Sequence, residues 1–388
     1  NNYIKALSLY SVGNVFNRAI ALLLLPVMTR LLSTTDYGII STYMSWEKIL
    51  VPIIGLQLGM SIRPAWSDHK ERIDEYASSI YFLSFLWFIV FSFIAITIIK
   101  VTDLSVSLVL VYMCFFHAFM ETVISGHMKR LLMDMRYVTR VLLLSIPNLL
   151  VAMISIILLI FDSSNGYMKR LLPYVFIYGI IGNFILVYTL YKGRRFFNLS
   201  DWKYGLSFSI PLILHELSKT VLAGSDKTML TMLHSAEETG IYSIAYTMGL
   251  AITVVTSALD SIWIPWFTKK MDAGEKNIIN KVAINFIWAG TILSIITMMC
   301  LPDVLKLFAA KEYWEGVVLI PPIVLASFFV FLYSLPVNLE YYHKTTRGIA
   351  ISTIVAALSN IGLNLLLIPK YGAMAAAYTT VTSYVLSF

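Results

Sequence analysis

The chain is short of charge. Of its 388 residues only 13% are Asp, Glu, Lys or Arg, against roughly a quarter in soluble globular proteins. Cysteine is rarer still: Cys114 and Cys300 are the two present, both inside apolar runs. That excludes a disulfide framework and a thiolate metal cluster, and leaves them as small core residues. The sequence has no paired Cys or His metal pattern, no glycine-rich nucleotide loop and no GxSxG elbow. It also lacks long polar stretches. The longest connections between apolar segments run to about a dozen residues, too few for a soluble domain or an external loop carrying a catalytic carboxylate pair. These absences point away from an enzyme and toward a transporter.

What is present is apolar: 58% of residues are hydrophobic and the mean hydropathy is +0.77. This is the composition of an all-α polytopic membrane protein, in which length sets the number of helices. A span takes about 20 residues, and twelve candidate segments follow: 6–30, 37–61, 77–99, 104–126, 138–161, 171–191, 204–233, 239–266, 279–301, 315–337, 347–368 and 371–388. The first run is too long for a signal peptide and has no clear cleavage site, so it is read as a retained span. The chain begins without Met and ends in TTVTSYVLSF, still apolar, which leaves room for a short tail at either end.

The net charge of +7 resides in the loops. Alternate loops are rich in Lys and Arg: Arg63, Lys70 and Arg72; Lys129, Arg130, Arg136 and Arg140; Lys192, Arg194, Arg195 and Lys203; Lys269, Lys270, Lys276 and Lys281. The intervening loops hold one or two cations each. Because positive loops stay in the cytoplasm, both termini are expected there, in a cytoplasmic membrane.

There is an internal echo. Residues 29–41 read TRLLSTTDYGIIS and residues 231–243 read TMLHSAEETGIYS. Thr, Leu, Ser, Gly, Ile and Ser recur in register, at an offset of about half the chain. Two six-helix lobes are therefore expected, at 1–195 and 196–388. Both copies leave an outward-going helix, so the repeat is parallel, with its axis along the membrane normal and a site where the halves meet.

Polar residues inside the spans mark candidate sites, because charge at mid-membrane is costly and usually faces a bundle interior or a wet cavity. His215, Lys219, Leu222 and Asp226 share one helical face, and Glu216 can pair with Lys219. Asn14 and Arg18 lie four apart in the first span, Glu47 and Lys48 in the second, and His117 and Glu121 in the fourth. With Arg63, Lys129 and Arg130 at the inner face, they describe a cavity suited to an anion, since guanidinium matches phosphate oxygens. The alternative is neutralised pairs, Arg18 with Glu47 and Lys219 with Glu216. A second set, Asp226, Asn360, Asn364 and Thr380, offers hard oxygen ligands for a cation such as sodium, or else simple interhelical hydrogen bonds.

Four stretches carry a family resemblance: LLLLPVMTRLLSTTDYGIIS (22–41), SIPLILHELSKTVLAGSDKTMLTMLHSAEETGIYSIAYTMG (209–249), SALDSIWIPWF (257–267) and LNLLLIPKYGAMAAAYTT (363–380). Across essentially the whole chain they resemble the Wzx-type polysaccharide flippases of the multidrug/oligosaccharidyl-lipid/polysaccharide exporter superfamily. That resemblance implies a V-shaped exporter fold around a central cavity. It implies export of an undecaprenyl-pyrophosphate-linked oligosaccharide, such as an O-antigen repeat unit for lipopolysaccharide, across the bacterial inner membrane. Polymerase and chain-length proteins of the same pathway would be partners. No cofactor is implied beyond a coupling Na+ or H+. The superfamily's lipid II flippases have a sodium site on helices 7, 11 and 12, whose spacing Asn360, Asn364, Ala376 and Thr380 match. Asn364 stands where an acidic residue would be expected, which lowers the charge of the site and keeps proton coupling through Asp226, Glu216 or His215 open. The rival readings are a multidrug exporter of the superfamily and a membrane polysaccharide polymerase.

Overall fold

The computed structural model describes residues 20, 23–103, 106–162, 164–343 and 347–387; the side chains of His215, Lys219, Leu222, Ala223, Arg347 and Ala350 lie outside that description. Among the described residues there is no strand. The helices are α1 (23–31), α2 (Thr34–Ile54), α3 (Leu58–Asp68), α4 (Ile73–Val101), α5 (Leu108–Met133), α6 (Tyr137–Phe161), α7 (Gly166–Gly193), α8 (Leu199–Leu233), α9 (Ala236–Gly249), α10 (Ile252–Asp272), α11 (Lys276–Phe308), α12 (Ile320–Tyr342) and α13 (Arg347–Ser387).

Eleven of the twelve expected segments, from 37–61 onward, fall on these helices. Most of the first, 6–30, lies outside the described residues. Two segments are subdivided. The segment 37–61 is the pair α2 and α3, bent by 44°, and 239–266 is α9 followed directly by α10. The last two segments are joined as α13, which breaks at Gly372, where φ is +54°. A Cβ there would also lie 2.1 Å from a Glu238 carboxylate oxygen, so both backbone and space require glycine. The same carboxylate accepts the Ala373 amide at 2.7 Å, restarting the helix.

Eight helical stretches among the described residues are long and apolar enough to cross a membrane, or nine with the bent α2–α3 pair. Their outward faces are apolar: Phe93, Phe184 and Met299 are each about three-quarters exposed (73%, 72% and 73%). Apolar surface on this scale belongs against lipid, with every backbone group satisfied inside its own helix. α8 is not among the eight. Its 35 residues carry Glu216, Lys219, Asp226 and Lys227, too much charge for lipid on all sides.

The chain divides into two compact units. The first is Asn1–Leu32 with Tyr43–Thr220, and the second is Ser33–Thr42 with Val221–Phe388. The divisions fall inside α2 and α8, and the expected boundary at 195/196 lies within the first unit. In the first unit α5 and α7 pack on one another and on α3, α4 and α6. One end is held by ion pairs: Arg72 to the buried Asp201 at 2.9 Å, Arg195 to Glu75 at 2.6 Å, and Asp74 to both Arg130 (3.0 Å) and Lys192 (2.9 Å). Arg130 also meets Asp134 at 3.0 Å.

In the second unit the sequence echo becomes geometry. Ser33 and Ser235 each cap a helix, accepting the amides of Asp36 (3.0 Å) and Glu238 (3.1 Å), the serine half of a capping box. A Cβ on Gly38 would strike the Ala236 carbonyl oxygen at 1.7 Å, and one on Gly240 would strike that of Thr34 at 2.0 Å. Thr34 corresponds to Ala236 in the repeat, and Gly38 to Gly240. The contact is thus reciprocal, as a two-fold relation requires.

Candidate binding cavity and buried carboxylate cluster

A cavity of about 600 Å³ opens in the first unit, within the range of ligand pockets, roughly 300–1,000 Å³. Its wall is built where α2 gives way to α3. Leu56 and Gln57 take left-handed φ of 48° and 49°, which interrupts the helix. The carbonyls of Ile53, Gly55 and Gln57 accept turn bonds from the amides of Leu56, Leu58 and Met60 and second bonds from neighbouring helices: Trp87 donates to Ile53 O (3.0 Å), Ser84 to Gly55 O (3.4 Å) and Ser209 to Gln57 O (3.1 Å). A broken helix is tolerated at membrane depth under these conditions, where its groups are buried in protein or line a cavity.

Five helices contribute to the lining. α2 supplies Glu47 and Lys48, and α3 supplies Arg63. α5 supplies His117, Glu121, Ser125 and Lys129, spaced four apart and so on one face. α7 supplies Tyr174 and Tyr178, and α8 supplies Glu216 and Thr220. Lys48 and Arg63 are exposed, and Glu121 and Lys129 half-buried. Among the described residues none of Lys48, Arg63 and Lys129 has an ion pair within 4 Å. These cations line the cavity, and Glu121 and Glu216 act on Lys129 electrostatically.

At the other end of the α5 stripe His117 is 3% exposed and sits among rings. It stacks on Tyr43 (6.0 Å between centroids), and meets Tyr178 (5.1 Å) and Tyr174 (5.8 Å). The Tyr178 hydroxyl donates to Asn148 Oδ1 at 3.1 Å, and the Arg170 guanidinium, over the Tyr174 ring at 5.0 Å, donates to its hydroxyl at 3.2 Å.

Of the residues expected in a substrate cavity, Glu47, Lys48, Arg63 and Glu216 line this one. Asn14 and Arg18 lie outside the described residues, as do the side chains of His215 and Lys219. Arg130, expected to face the cavity, is instead held by Asp74 and Asp134 and is not in the lining. Its register on α5 is one residue past Lys129, a turn of about 100° away. Tyr174 and Tyr178 were not singled out by sequence. Their four-residue spacing is a signal, though one shared by any packed aromatic helix face.

The second unit holds a different arrangement. Asp226 on α8 is 2% exposed. Its Oδ1 accepts from the Asn364 amide at 2.7 Å, and its Oδ2 accepts from the Thr380 hydroxyl at 2.8 Å and the Tyr242 hydroxyl at 3.0 Å. Asn364 also donates to Asn360 Oδ1 at 3.1 Å, to which Ser225 donates at 3.2 Å. Thr379 donates to Asn364 Oδ1 in a short contact. The Ala376 carbonyl accepts the hydroxyls of Thr379 (3.0 Å) and Thr380 (2.8 Å). All five residues expected in an ion-coupling set therefore converge. Tyr242, Thr379 and Ser225 are additions that the four-residue spacing of Asn360 and Asn364 did not reach.

Asp226 accepts three hydrogen bonds and, among the described residues, has no cation within 4 Å. Asn360 Nδ2 is buried without a hydrogen-bond partner there. The described residues contain no cluster of three or more His, Cys, Asp or Glu able to hold a metal ion. The oxygens at hand come from one carboxylate, two amides, a main-chain carbonyl and hydroxyls, a set that suits a hard monovalent cation or a proton.

Residues 4–271 match the family described as polysaccharide biosynthesis protein. Over 92% of its length the chain is 22% identical to an uncharacterized membrane protein of Haemophilus influenzae, of which the match covers 89%. Among solved structures it is similar to the lipid II flippase MurJ in an inward closed conformation, with a TM-score of 0.72, 14% identity, and 98% of this chain and 85% of that one covered. It is also similar to an inward-facing multidrug resistance MATE family transporter of the MOP superfamily, with a TM-score of 0.60, 12% identity, and 99% and 96% covered. At such identities the two structures speak to the fold.

Proposed function

The chain belongs to the polysaccharide biosynthesis protein family, and from that premise we propose that it flips a lipid-diphosphate-linked oligosaccharide, of the undecaprenyl-pyrophosphate kind, from the cytoplasmic to the periplasmic leaflet of a bacterial inner membrane. The observation that carries this reading is the cavity of the first unit, where Lys48, Arg63 and Lys129 face open space without ion pairs among the described residues. A diphosphate is the ligand such a surface attracts most strongly. In this reading the basic loops, and with them both termini, lie on the cytoplasmic side, the side of the donor leaflet. Arg18 and Lys219 remain in the proposal as cavity cations on sequence grounds, with Asn14 and His215 beside them.

Net movement needs a gradient, and the Asp226 cluster is where we place its use. A buried carboxylate held by three dipoles has no countercharge within 4 Å among the described residues. Binding Na+ or H+ there in one state more tightly than in the other would bias outward against inward forms. Proteins that polymerise the exported unit and set its chain length are the partners this role predicts.

In cells lacking the gene, surface glycan disappears and unexported lipid-linked units accumulate. The wild-type gene restores display, and a variant with Arg63→Gln and Lys129→Gln does not, at equal protein level. Normal display by that variant rejects the cavity as the carrier site. A second reading, export of cationic drugs, draws on Glu47, Glu121 and the tyrosine wall in the same cavity. Raised drug sensitivity with unchanged glycan display in the deletion strain would select it.

A further inference from the structure

The cavity of the first unit is polarised, and α5 is the ruler that shows it. His117, Glu121, Ser125 and Lys129 lie on one face of one helix, and twelve residues separate the ends, about 18 Å at 1.5 Å per residue. The two ends have different company. Lys129 Nζ lies beside Gly59, one turn before Arg63 on α3, so the far end is basic. His117 is ringed by Tyr43, Tyr174 and Tyr178. Glu47 and Glu121, one α-helical turn along from Tyr43 and His117, are close enough to feel each other's charge. The near end is therefore aromatic and carries two carboxyl groups, with Lys48 beside Glu47.

We propose that this near end is a sugar subsite: Tyr174 and Tyr178 stack on the first sugar of the glycan, Glu47 and Glu121 accept its hydroxyls, and Arg63 and Lys129 take the diphosphate. The assignment deepens the lipid-diphosphate reading above and rests on it. Its direction follows from electrostatics. Arg63 and Lys129 stand together at the far end, while Lys48 at the near end has Glu47 beside it, so the diphosphate is held at the far end. The stripe runs about 18 Å, so a sugar attached to a diphosphate at Lys129 extends along it toward the rings. Tyr174 and Tyr178 are half-buried and line the cavity; Arg170 lies over the Tyr174 ring, so a pyranose would meet the ring surface that remains toward the cavity. A carboxyl group hydrogen-bonds sugar hydroxyls whether or not it carries a proton. A site built to bond hydroxyls discriminates well, because a ligand lacking them leaves its buried polar groups unpaired. Glycan specificity would reside in these four residues, and affinity for the lipid carrier in the cations.

The test uses the purified full chain in lipid nanodiscs with two probes. One is undecaprenyl diphosphate, which bears no sugar. The other is the lipid-linked oligosaccharide extracted from cells depleted of the transporter. Wild type is expected to bind the oligosaccharide at least about tenfold more tightly. Tyr174→Ala and Glu121→Gln should each erase most of that preference while still binding the sugar-free lipid, which also reports that the variants are folded. Arg63→Gln should weaken both probes by the same factor. The sugar subsite is overturned if wild type shows no preference, or if Tyr174→Ala and Glu121→Gln weaken both probes equally or neither. In those cases the carrier reading stands. Failure of wild type to bind either probe removes the carrier reading itself, and the subsite with it.

Discussion

Lys129 in the first unit and Asp226 in the second are both charged side chains on helices of a membrane protein, and their surroundings differ in kind. Lys129 is half-buried on a cavity wall and, among the described residues, has no ion-pair partner within 4 Å. Asp226 is 2% exposed and accepts three hydrogen bonds from three other helices, α9 and the two arms of α13. The first arrangement leaves charge available to a ligand. The second holds charge among fixed dipoles, where only a small cation or a proton could reach it. Substitutions in the cavity should therefore change binding and spare stability, and substitutions in the cluster should do the reverse.

The strongest break between them is Asp226→Asn. Glycan display should fall at least about tenfold, since the bias between states is lost, while undecaprenyl diphosphate binds the purified variant as it binds wild type. Loss of binding would join the two regions into one site. Next comes the cavity. Arg63→Gln with Lys129→Gln should weaken undecaprenyl diphosphate about tenfold, and Arg63→Gln alone, at an exposed position, should leave thermal unfolding within about 0.5 kcal/mol. High salt should weaken wild type in the same direction, and an affinity indifferent to salt would contradict a charge-based site. In the cluster, Asn364→Leu removes two donated bonds and the acceptor of Thr379, so a stability loss of about 1–3 kcal/mol is expected in a thermal melt. The smallest effect is Thr380→Val, about 1 kcal/mol, with lipid binding intact; an unchanged melting point would say that its bond to Asp226 adds nothing.

The helices were legible because lipid imposes one rule on every span, a run of apolar residues. The subdivisions missed among the described residues, at Leu56–Gln57 and Leu250–Ala251, are local backbone events inside such runs. The Asp226 cluster was legible because polar residues are scarce in a membrane, so Asn360 and Asn364 stand out at their four-residue spacing. Tyr242 and Thr379 did not stand out, since tyrosine and threonine are ordinary on membrane helices. The same holds for Tyr174 and Tyr178: aromatic residues at helical spacing are common packing, and only the ring of contacts around His117 separates them from it. Arg130 was misplaced because sequence sees two adjacent cations, while the helix turns them to different neighbours. That residues 33–42 belong with the second unit depends on contacts far apart in the chain, beyond any local pattern.

Gly38 and Gly240 touch through main chain alone, each against the other's repeat. Backbone carries no sequence of its own, so a junction of this sort is indifferent to what the flanking helices become. The two repeats could thus drift apart in their side chains while still meeting at the same two residues within the second unit. Selection would then guard only a pair of missing side chains, and a methyl group at either position would be enough to prise the junction open.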